Sequence, residues 1–185
     1  EARNYVECFA TQDTAGWEVA KQRLVKLGTP AISVLFAAMQ ERPGAVAFNC
    51  QDVLKRMGPE ALPPLVTEVR RGDAGYTARA LDKRRLFRGQ LIAVVGEMRA
   101  PGSAAALMDI LREDSWATAR RKAAFYLGEL KDPAAVPILI ETLRKDPSED
   151  VRGMALGALK RCVERDLGPN PEVWEAWWKE RQAGP

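Results

Sequence analysis

The second half of the chain repeats itself at a spacing of 32 residues, and this repeat restricts the folds that are open to it. Residues 96–111 read GEMRAPGSAAALMDIL, and residues 128–143 read GELKDPAAVPILIETL. The coinciding pairs at this spacing are Gly96 with Gly128, Glu97 with Glu129, Pro101 with Pro133, Leu107 with Leu139 and Leu111 with Leu143. Self-similarity of this length is typical of repeat architectures, in which each repeat is one supersecondary unit.

The first half carries a related repeat at a spacing of 30 residues. Its matching pairs are Leu24 with Leu54, Gly28 with Gly58, Ile32 with Leu62 and Leu35 with Leu65. The step from Gly58 to Gly96 is longer, at 38 residues, so we place an inserted segment at 72–82. We expect one domain over 1–182, with repeats at 13–41, 43–71, 83–113, 115–145 and 149–182.

Each repeat has the pattern of two helices. Ala119, Ala123 and Leu127 recur at helical spacing, and Gly128 is expected to end that helix. Pro133 suits the first turn of a second helix, where a missing N–H is tolerated. The apolar stripe of that second helix is Val136, Leu139, Ile140 and Leu143. No segment alternates like a β-strand, so the predicted fold class is all-α.

The repeat resembles the HEAT-like repeats of bacterial proteins, which are shared with the phycobilisome-lyase group. The matching residues are Ala119-Arg120, Ala123-Ala124, the run from Leu127 to Pro137, Asp150-Val151-Arg152 and Ala155. The resemblance implies a right-handed α-solenoid, an α-α superhelix of about five helical hairpins whose second helices line a concave side. Residues 166–182 are similar to a tail found in some secreted or envelope-associated bacterial HEAT proteins.

The chain contains no histidine, which excludes His-based metal sites, Ser-His-Asp triads and Cys-His pairs. It also lacks a C-x-x-C pair, a P-loop and a G-x-G-x-x-G motif. We therefore expect no catalytic residue, no cofactor and no metal. The usage of three widely spaced cysteines favours the cytoplasm, although Cys8 and Cys50 could be bridged elsewhere. A first residue that is Glu rather than Met leaves the cell envelope and secretion open.

The inserted segment lies in the most basic stretch of the chain. Residues 70–88 read RRGDAGYTARALDKRRLFR, with seven Lys or Arg against two Asp. Such a cluster suits an anionic partner, although a solvated helix face would have the same composition. We expect the segment to project from the solenoid and to bind an acidic surface. The candidate partner-binding residues are Tyr76, Arg79, Lys83, Arg84 and Arg85.

Two further sets of residues have structural explanations. Arg88, Arg120 and Arg152 recur at the repeat spacing, and in similar repeats this arginine braces neighbouring units through an acidic side chain or a helix-end carbonyl. Asp150 is a candidate for that acid. The second set is Trp174, Trp177 and Trp178, which share one helical face. We expect them to cover the open end of the last repeat, and the alternative is an aromatic platform for a sugar, a base or a proline-rich peptide.

The predicted function is a non-enzymatic scaffold that binds a protein or peptide partner with an acidic surface. The first alternative is a nucleic-acid-binding protein similar to the DNA glycosylases built on HEAT-like repeats. Its weakness is a net charge of only +3. A second alternative, which depends only on the family resemblance, is a lyase or chaperone that acts on a chromophore-bearing protein. The iron hydroxylase built on HEAT repeats is excluded, since its His-Glu motifs are missing.

Overall fold

The structure is a computed structural model that describes residues 1–11 and 14–183. Over these residues it holds eleven α-helices and no β-strand, which confirms the predicted all-α solenoid class. The helices are α1 (Ala2–Cys8), α2 (Thr14–Leu27), α3 (Ile32–Glu41), α4 (Ala45–Met57), α5 (Leu62–Arg70), α6 (Ala78–Glu97), α7 (Ser103–Glu113), α8 (Ala117–Leu130), α9 (Val136–Lys145), α10 (Glu149–Val163) and α11 (Pro171–Gln182). Within the described ranges, no helix is both long and apolar enough to span a membrane.

The helices group into two compact units, the first ending at Pro101 and the second beginning at Gly102 in the chain. The pairs α2/α3, α4/α5, α8/α9 and α10/α11 lie within the stretches assigned to repeats. Residue 13, the predicted start of the first repeat, lies outside the described residues. The single domain over 1–182 and the right-handed twist stay predictions.

In the first unit, α4 packs between the first helices of the preceding and the following repeat. It contacts α2 and α6, so the first helices of successive repeats lie side by side, and it also contacts α3. α1 packs against α2 and α3; Val6 in this helix and Phe9 just after its end are buried. No apolar pattern pointed to α1, because a helix of seven residues is too short to show a period.

α6 begins earlier than the repeat pattern predicts. It starts at Ala78 and runs for 20 residues, whereas residues 72–82 were expected to be an insertion before a helix at Lys83. The non-helical part of the insertion is therefore only the short loop that ends at Thr77. Gly72 has a φ of 62°, a left-handed conformation that a glycine adopts without strain, and there the chain turns away from the end of α5.

In the second unit, α8 packs against α7 and α10, and α9 packs against α7, α10 and α11. Leu127 and Leu139 are fully buried, whereas Leu143 is half-buried. The expectation that Gly128 ends its helix was wrong, because α8 continues to Leu130 and Lys131 takes the left-handed position. A glycine is needed at 128 for another reason: a Cβ there would lie 2.8 Å from the Cα of Ala158 in α10.

Pro133 also has a different place from the one expected. It begins a 3₁₀ turn, Pro133–Ala135, that precedes α9, and Pro137 is the proline in the first turn of α9. The side chain of Asp132 accepts a hydrogen bond from the N–H of Ala134 at 2.9 Å and caps that turn. The reason for expecting a proline in the first turn holds at both places, because the N–H that proline lacks would have no hydrogen-bond acceptor within the helix there.

Candidate functional site

Arg84 points into the protein rather than toward a partner. Its residue is only 2% exposed. Nη1 donates to Oε1 of Glu68 at 2.5 Å and Nη2 to the Glu68 carbonyl at 2.6 Å, while Nε donates to the Gly72 carbonyl at 3.1 Å. The last carbonyls of a helix lack intrahelical donors, and Arg84 supplies one at the end of α5. We therefore withdraw Arg84 from the candidate partner-binding residues.

Arg85 and Arg88 share a second acid, Asp73, in the loop between α5 and α6. Arg85 Nε donates to Oδ2 of Asp73 at 2.8 Å, and Arg88 Nη1 donates to Oδ1. Arg88 also donates to the Val69 carbonyl at 3.2 Å. Burial raises the pKa of Asp73, but the hydrogen bonds from Arg85 and Arg88 outweigh it, and the pKa lies below the ordinary value. Asp73 is thus ionised at neutral pH and offsets much of this positive charge.

The other three candidate residues face solvent. Tyr76 is 44% exposed, and its ring centre lies 5.5 Å from Cζ of Arg84, a cation–π distance that positions the ring. Arg79 and Lys83 are exposed, and neither forms a hydrogen bond or ion pair with any described residue. The structure therefore divides the basic residues between 79 and 88 into three paired arginines and two unpaired cations.

The unpaired cations continue into a face of α6 that the sequence did not single out. Residues 79, 83, 86 and 90 follow one another at steps of four, three and four, so they share one side of the helix. Leu86 on this side is 59% exposed. Leu86 and Gln90 stand at helical spacing after Lys83. This spacing would have predicted their place on the same face if the start of α6 had been known.

A cleft of about 120 Å³ lies beside this face, between α6 and the end of α3. Its α6 wall includes Lys83, Leu86 and Gln90, and its other wall includes Met39 and Glu41, with Pro43 just beyond α3. Oε1 of Gln90 is buried and has no hydrogen-bond donor among the described residues.

In the second unit, Arg120 joins two loops. It forms two hydrogen bonds to the carboxylate of Asp146 in the loop between α9 and α10, and Nη1 donates to the Asp114 carbonyl at 2.9 Å in the loop between α7 and α8. Arg152 Nη1 donates to the Asp146 carbonyl at 2.8 Å. The acid is therefore Asp146, not the predicted Asp150, because the loop turns back on itself and Asp146 also accepts the N–H of Ser148 at 2.8 Å.

A second cleft, of about 390 Å³, lies between α7 and α9. Leu111, Ile138 and Thr142 line it together with the Arg120–Asp146 pair. Arg112, Glu141 and Lys145 add charges of both signs, and Lys145 contacts Glu141 at 3.2 Å. Both walls of this cleft are second helices of their repeats. The sequence predicted that the second helices line a concave binding surface.

The tryptophans of α11 differ in their surroundings. Trp174 is fully buried and donates from Nε1 to the Gly168 carbonyl at 2.8 Å, whereas Trp177 and Trp178 are half-buried. The ring centres of Trp174 and Trp177 lie 6.4 Å apart, edge to face. Since the Trp174 ring is covered, a ligand cannot stack on all three rings. Their role as a cap stays a prediction.

Cys50 and Cys162 offer no reactive thiolate in the described structure. Cys8, Cys50 and Cys162 are not disulfide-bonded. Burial raises the pKa of Cys50 to about 12, and burial is also the main reason that the pKa of Cys162 rises to about 11. Both thiols are therefore protonated at neutral pH, and a protonated thiol is a poor nucleophile. In addition, residues 1–11 and 14–183 contain no group of three Cys, Asp or Glu side chains placed to hold a metal ion.

Comparison with protein-family models identifies a related family. The model of the HEAT repeats family matches residues 77–160, from the loop residue before α6 to a point inside α10. No curated protein matches the chain. Since helical hairpins of the expected form also occupy this region, residues 77–160 are HEAT repeats.

Proposed function

We propose that this protein is a non-enzymatic interaction module that binds a protein or peptide with an acidic surface through the exposed side of α6. HEAT repeats commonly serve as protein-interaction scaffolds, and the family is typically non-enzymatic. The observation that carries the proposal is the state of Arg79 and Lys83. Both are exposed and unpaired, in a segment where Arg84, Arg85 and Arg88 all contact acids.

The position of Arg79 supports a role beyond folding. It is the second residue of α6, where the unpaired N–H groups of a helix repel a positive charge. Lys83 follows four residues later and adds to the repulsion, since like charges at this spacing destabilise a helix slightly. A residue that served only the stability of α6 would be neutral or acidic here.

The cleft between α7 and α9 is a second candidate surface within the same function. Its mixture of Leu111 and Ile138 with charged groups of both signs resembles the lining of peptide-binding grooves more than that of a site for one small anion. We assign the first electrostatic contact to α6, because the charges near this cleft partly neutralise one another, as in the pair of Lys145 with Glu141.

The nucleic-acid alternative has little support on this face. Arg79 and Lys83 would neutralise about two phosphates, whereas proteins that bind duplex DNA through its backbone commonly make about 6–10 such contacts. No observation on the described residues favours the lyase or chaperone alternative. Both remain outcomes of the experiment below.

The experiment uses charge reversal with a matched control. Partners are captured from a lysate, identified, purified and titrated against the wild-type chain, the Arg79→Glu/Lys83→Glu variant and the Arg23→Glu/Lys26→Glu variant. The control pair lies exposed on α2, also without an ion pair to any described residue, and changes the net charge equally. We expect only the α6 reversal to slow association, and we expect wild-type binding to weaken as the Debye length falls from about 10 to about 3 Å between 0.1 and 1 M salt.

Two results would contradict the proposal. One is a partner whose binding is insensitive to salt and unaffected by the α6 reversal. The other is a captured partner that is nucleic acid, with an affinity that falls steeply with salt.

A further inference from the structure

We infer that the cleft between α6 and α3 seats one bulky apolar side chain of the partner, from a short linear segment that also carries an acidic residue for Arg79 and Lys83. The inference rests on the proposed function and names the chemistry of the segment that the module recognises. Its basis is the juxtaposition of the two unpaired cations, Leu86 and an unsatisfied acceptor on Gln90 along one side of α6.

The apolar contact follows from Leu86 and its surroundings. Leu86 is 59% exposed on a helix whose next residue, Phe87, is buried. Met39 and Pro43 complete an apolar wall opposite. An apolar cavity of about 150 Å³ holds a benzene ring, so a cleft of about 120 Å³ has the size for one branched aliphatic or aromatic side chain. Burying such a side chain against Leu86 would remove from water an apolar surface that this chain leaves exposed.

The polar contact follows from Gln90. Its Oε1 atom is buried, and no described residue donates a hydrogen bond to it. A buried acceptor without a donor is costly, so native proteins rarely keep one. An extended segment lying in the cleft has backbone N–H groups free to donate. A rotation of the half-buried Gln90 side chain toward the cleft would let one of these N–H groups satisfy Oε1 while the neighbouring side chain fills the apolar space.

The charges set the order of residues in the bound segment. Lys83 lines the cleft, and Arg79 lies one turn before it on α6, so an acidic side chain is favoured at that end. Glu41 belongs to the α3 wall and is exposed. An acidic residue beside Glu41 would be repelled, so we expect a neutral or basic residue there. The recognised pattern is an acid, then a bulky apolar residue, with no acid on the α3 side.

The two unpaired cations beside the cleft are present because α6 is longer than its counterparts. At the repeat spacing of 32, the start of α8 at Ala117 corresponds to residue 85, and the start of α10 at Glu149 corresponds to the start of α8. The segment from Ala78 to Arg84 has no equivalent in those helices. These extra two turns carry Arg79 and Lys83, so the insertion places two cations beside the cleft that a regular repeat would lack.

The test begins with the full chain and a random library of short linear peptides displayed on phage. We expect selected peptides to share an acidic residue a few positions from Leu, Ile, Met or Phe. One selected peptide is then labelled with fluorescein, and its dissociation constant is measured by anisotropy. Leu86→Asp should weaken binding by about tenfold or more, as expected for losing one buried apolar side chain. Val19→Asp is the matched control, since Val19 is 57% exposed on α2.

Gln90→Met separates recognition from folding. This change removes the unsatisfied acceptor and keeps the shape of the side chain, so the melting temperature should stay the same or rise while the peptide binds more weakly. A variant that binds as tightly as the wild type would overturn the assigned hydrogen bond.

The remaining outcomes distinguish the inference from the proposed function. If the Arg79→Glu/Lys83→Glu variant loses the peptide but Leu86→Asp does not, the cleft is overturned and the acidic partner stands. If neither change matters, both the cleft and the α6 surface are overturned. A selected consensus without an apolar residue would also overturn the cleft.

Discussion

Arg120 and Asp146 form a pair of parallel hydrogen bonds, with Nε to Oδ2 at 2.7 Å and Nη2 to Oδ1 at 2.9 Å. The two side chains are largely buried. The pair connects α8 to the loop between α9 and α10, so it joins two neighbouring hairpins of the second unit. A bidentate contact of this kind restricts the orientation of both partners, which a single hydrogen bond does not.

Removing the acid from this pair should strongly destabilise the protein. Asp146→Ala leaves the Arg120 guanidinium buried without its counter-charge, and such a loss costs about 3–5 kcal/mol. Denaturant titration measures it. The control is Glu175→Ala, whose carboxylate contacts Arg144 at 2.6 Å on the surface, where an ion pair contributes about 1 kcal/mol or less. Equal losses for the two variants would show that the Arg120 pair is not buried in solution.

Acid should destabilise the protein through the same carboxylate. Burial raises the pKa of Asp146, but hydrogen bonds from Arg120 and from the Ser148 N–H outweigh it, so the pKa lies below the ordinary value of 3.8. A depressed carboxyl pKa contributes stability that is complete above the unfolded-state value and is lost as the pH falls through the folded-state value. We expect the free energy of unfolding to fall below about pH 4.

The Asp146→Asn variant tests this assignment. It should be less stable than the wild type at neutral pH, and it should lose less of its remaining stability on acidification. Measurements in about 1 M salt screen the exposed ion pairs, so a difference between the two proteins that disappears in salt would assign the acid effect to the surface instead.

Two helical glycines should respond to alanine in opposite directions. A Cβ at Gly128 would lie 2.8 Å from the Cα of Ala158, so α8 and α10 must move apart, and overpacking of this kind costs about 1–3 kcal/mol. A Cβ at Gly153 meets nothing within 4 Å. Gly153→Ala should therefore gain about 0.5–1 kcal/mol, because alanine loses less backbone entropy in a helix. Thermal or chemical unfolding measures both, and a stabilising Gly128→Ala would contradict the close approach.

Trp174 should contribute most of the stability that α11 supplies. Trp174→Ala removes a fully buried indole and its hydrogen bond to Gly168, and changes of this size cost about 3–5 kcal/mol. Trp178→Ala should cost less, since Trp178 is half-buried. Deleting residues 171–185 should destabilise or aggregate the protein by exposing the apolar side of α9. Iodide that quenched Trp174 in the native state would show an open aromatic surface instead of a cap.

The helical repeat was predictable because it depends on order along the chain. Leu127 and Leu139 stand at helical spacing within their segments, and their burial follows from that spacing. Arg120 and Arg152 were also found by spacing. Their acid was not, because the choice of Asp146 over Asp150 depends on how the loop after α9 turns. The role of Gly128 was missed for a similar reason. The close approach of α8 to α10 cannot be predicted from the residue pattern of either helix alone.

The sequence by itself determined the fold class, the repeat and the presence of a basic segment, since apolar period and charge density are properties of neighbouring residues. Only the tertiary structure decided which of those charges remain available. Glu68, 16 residues before Arg84, turns that arginine inward, and Asp73 pairs with two more. Leu86 lines a cleft only because the end of α3 lies opposite it. Side chains far apart in the chain neutralise or cover one another only when folding brings them together, and residue order alone does not specify those distances.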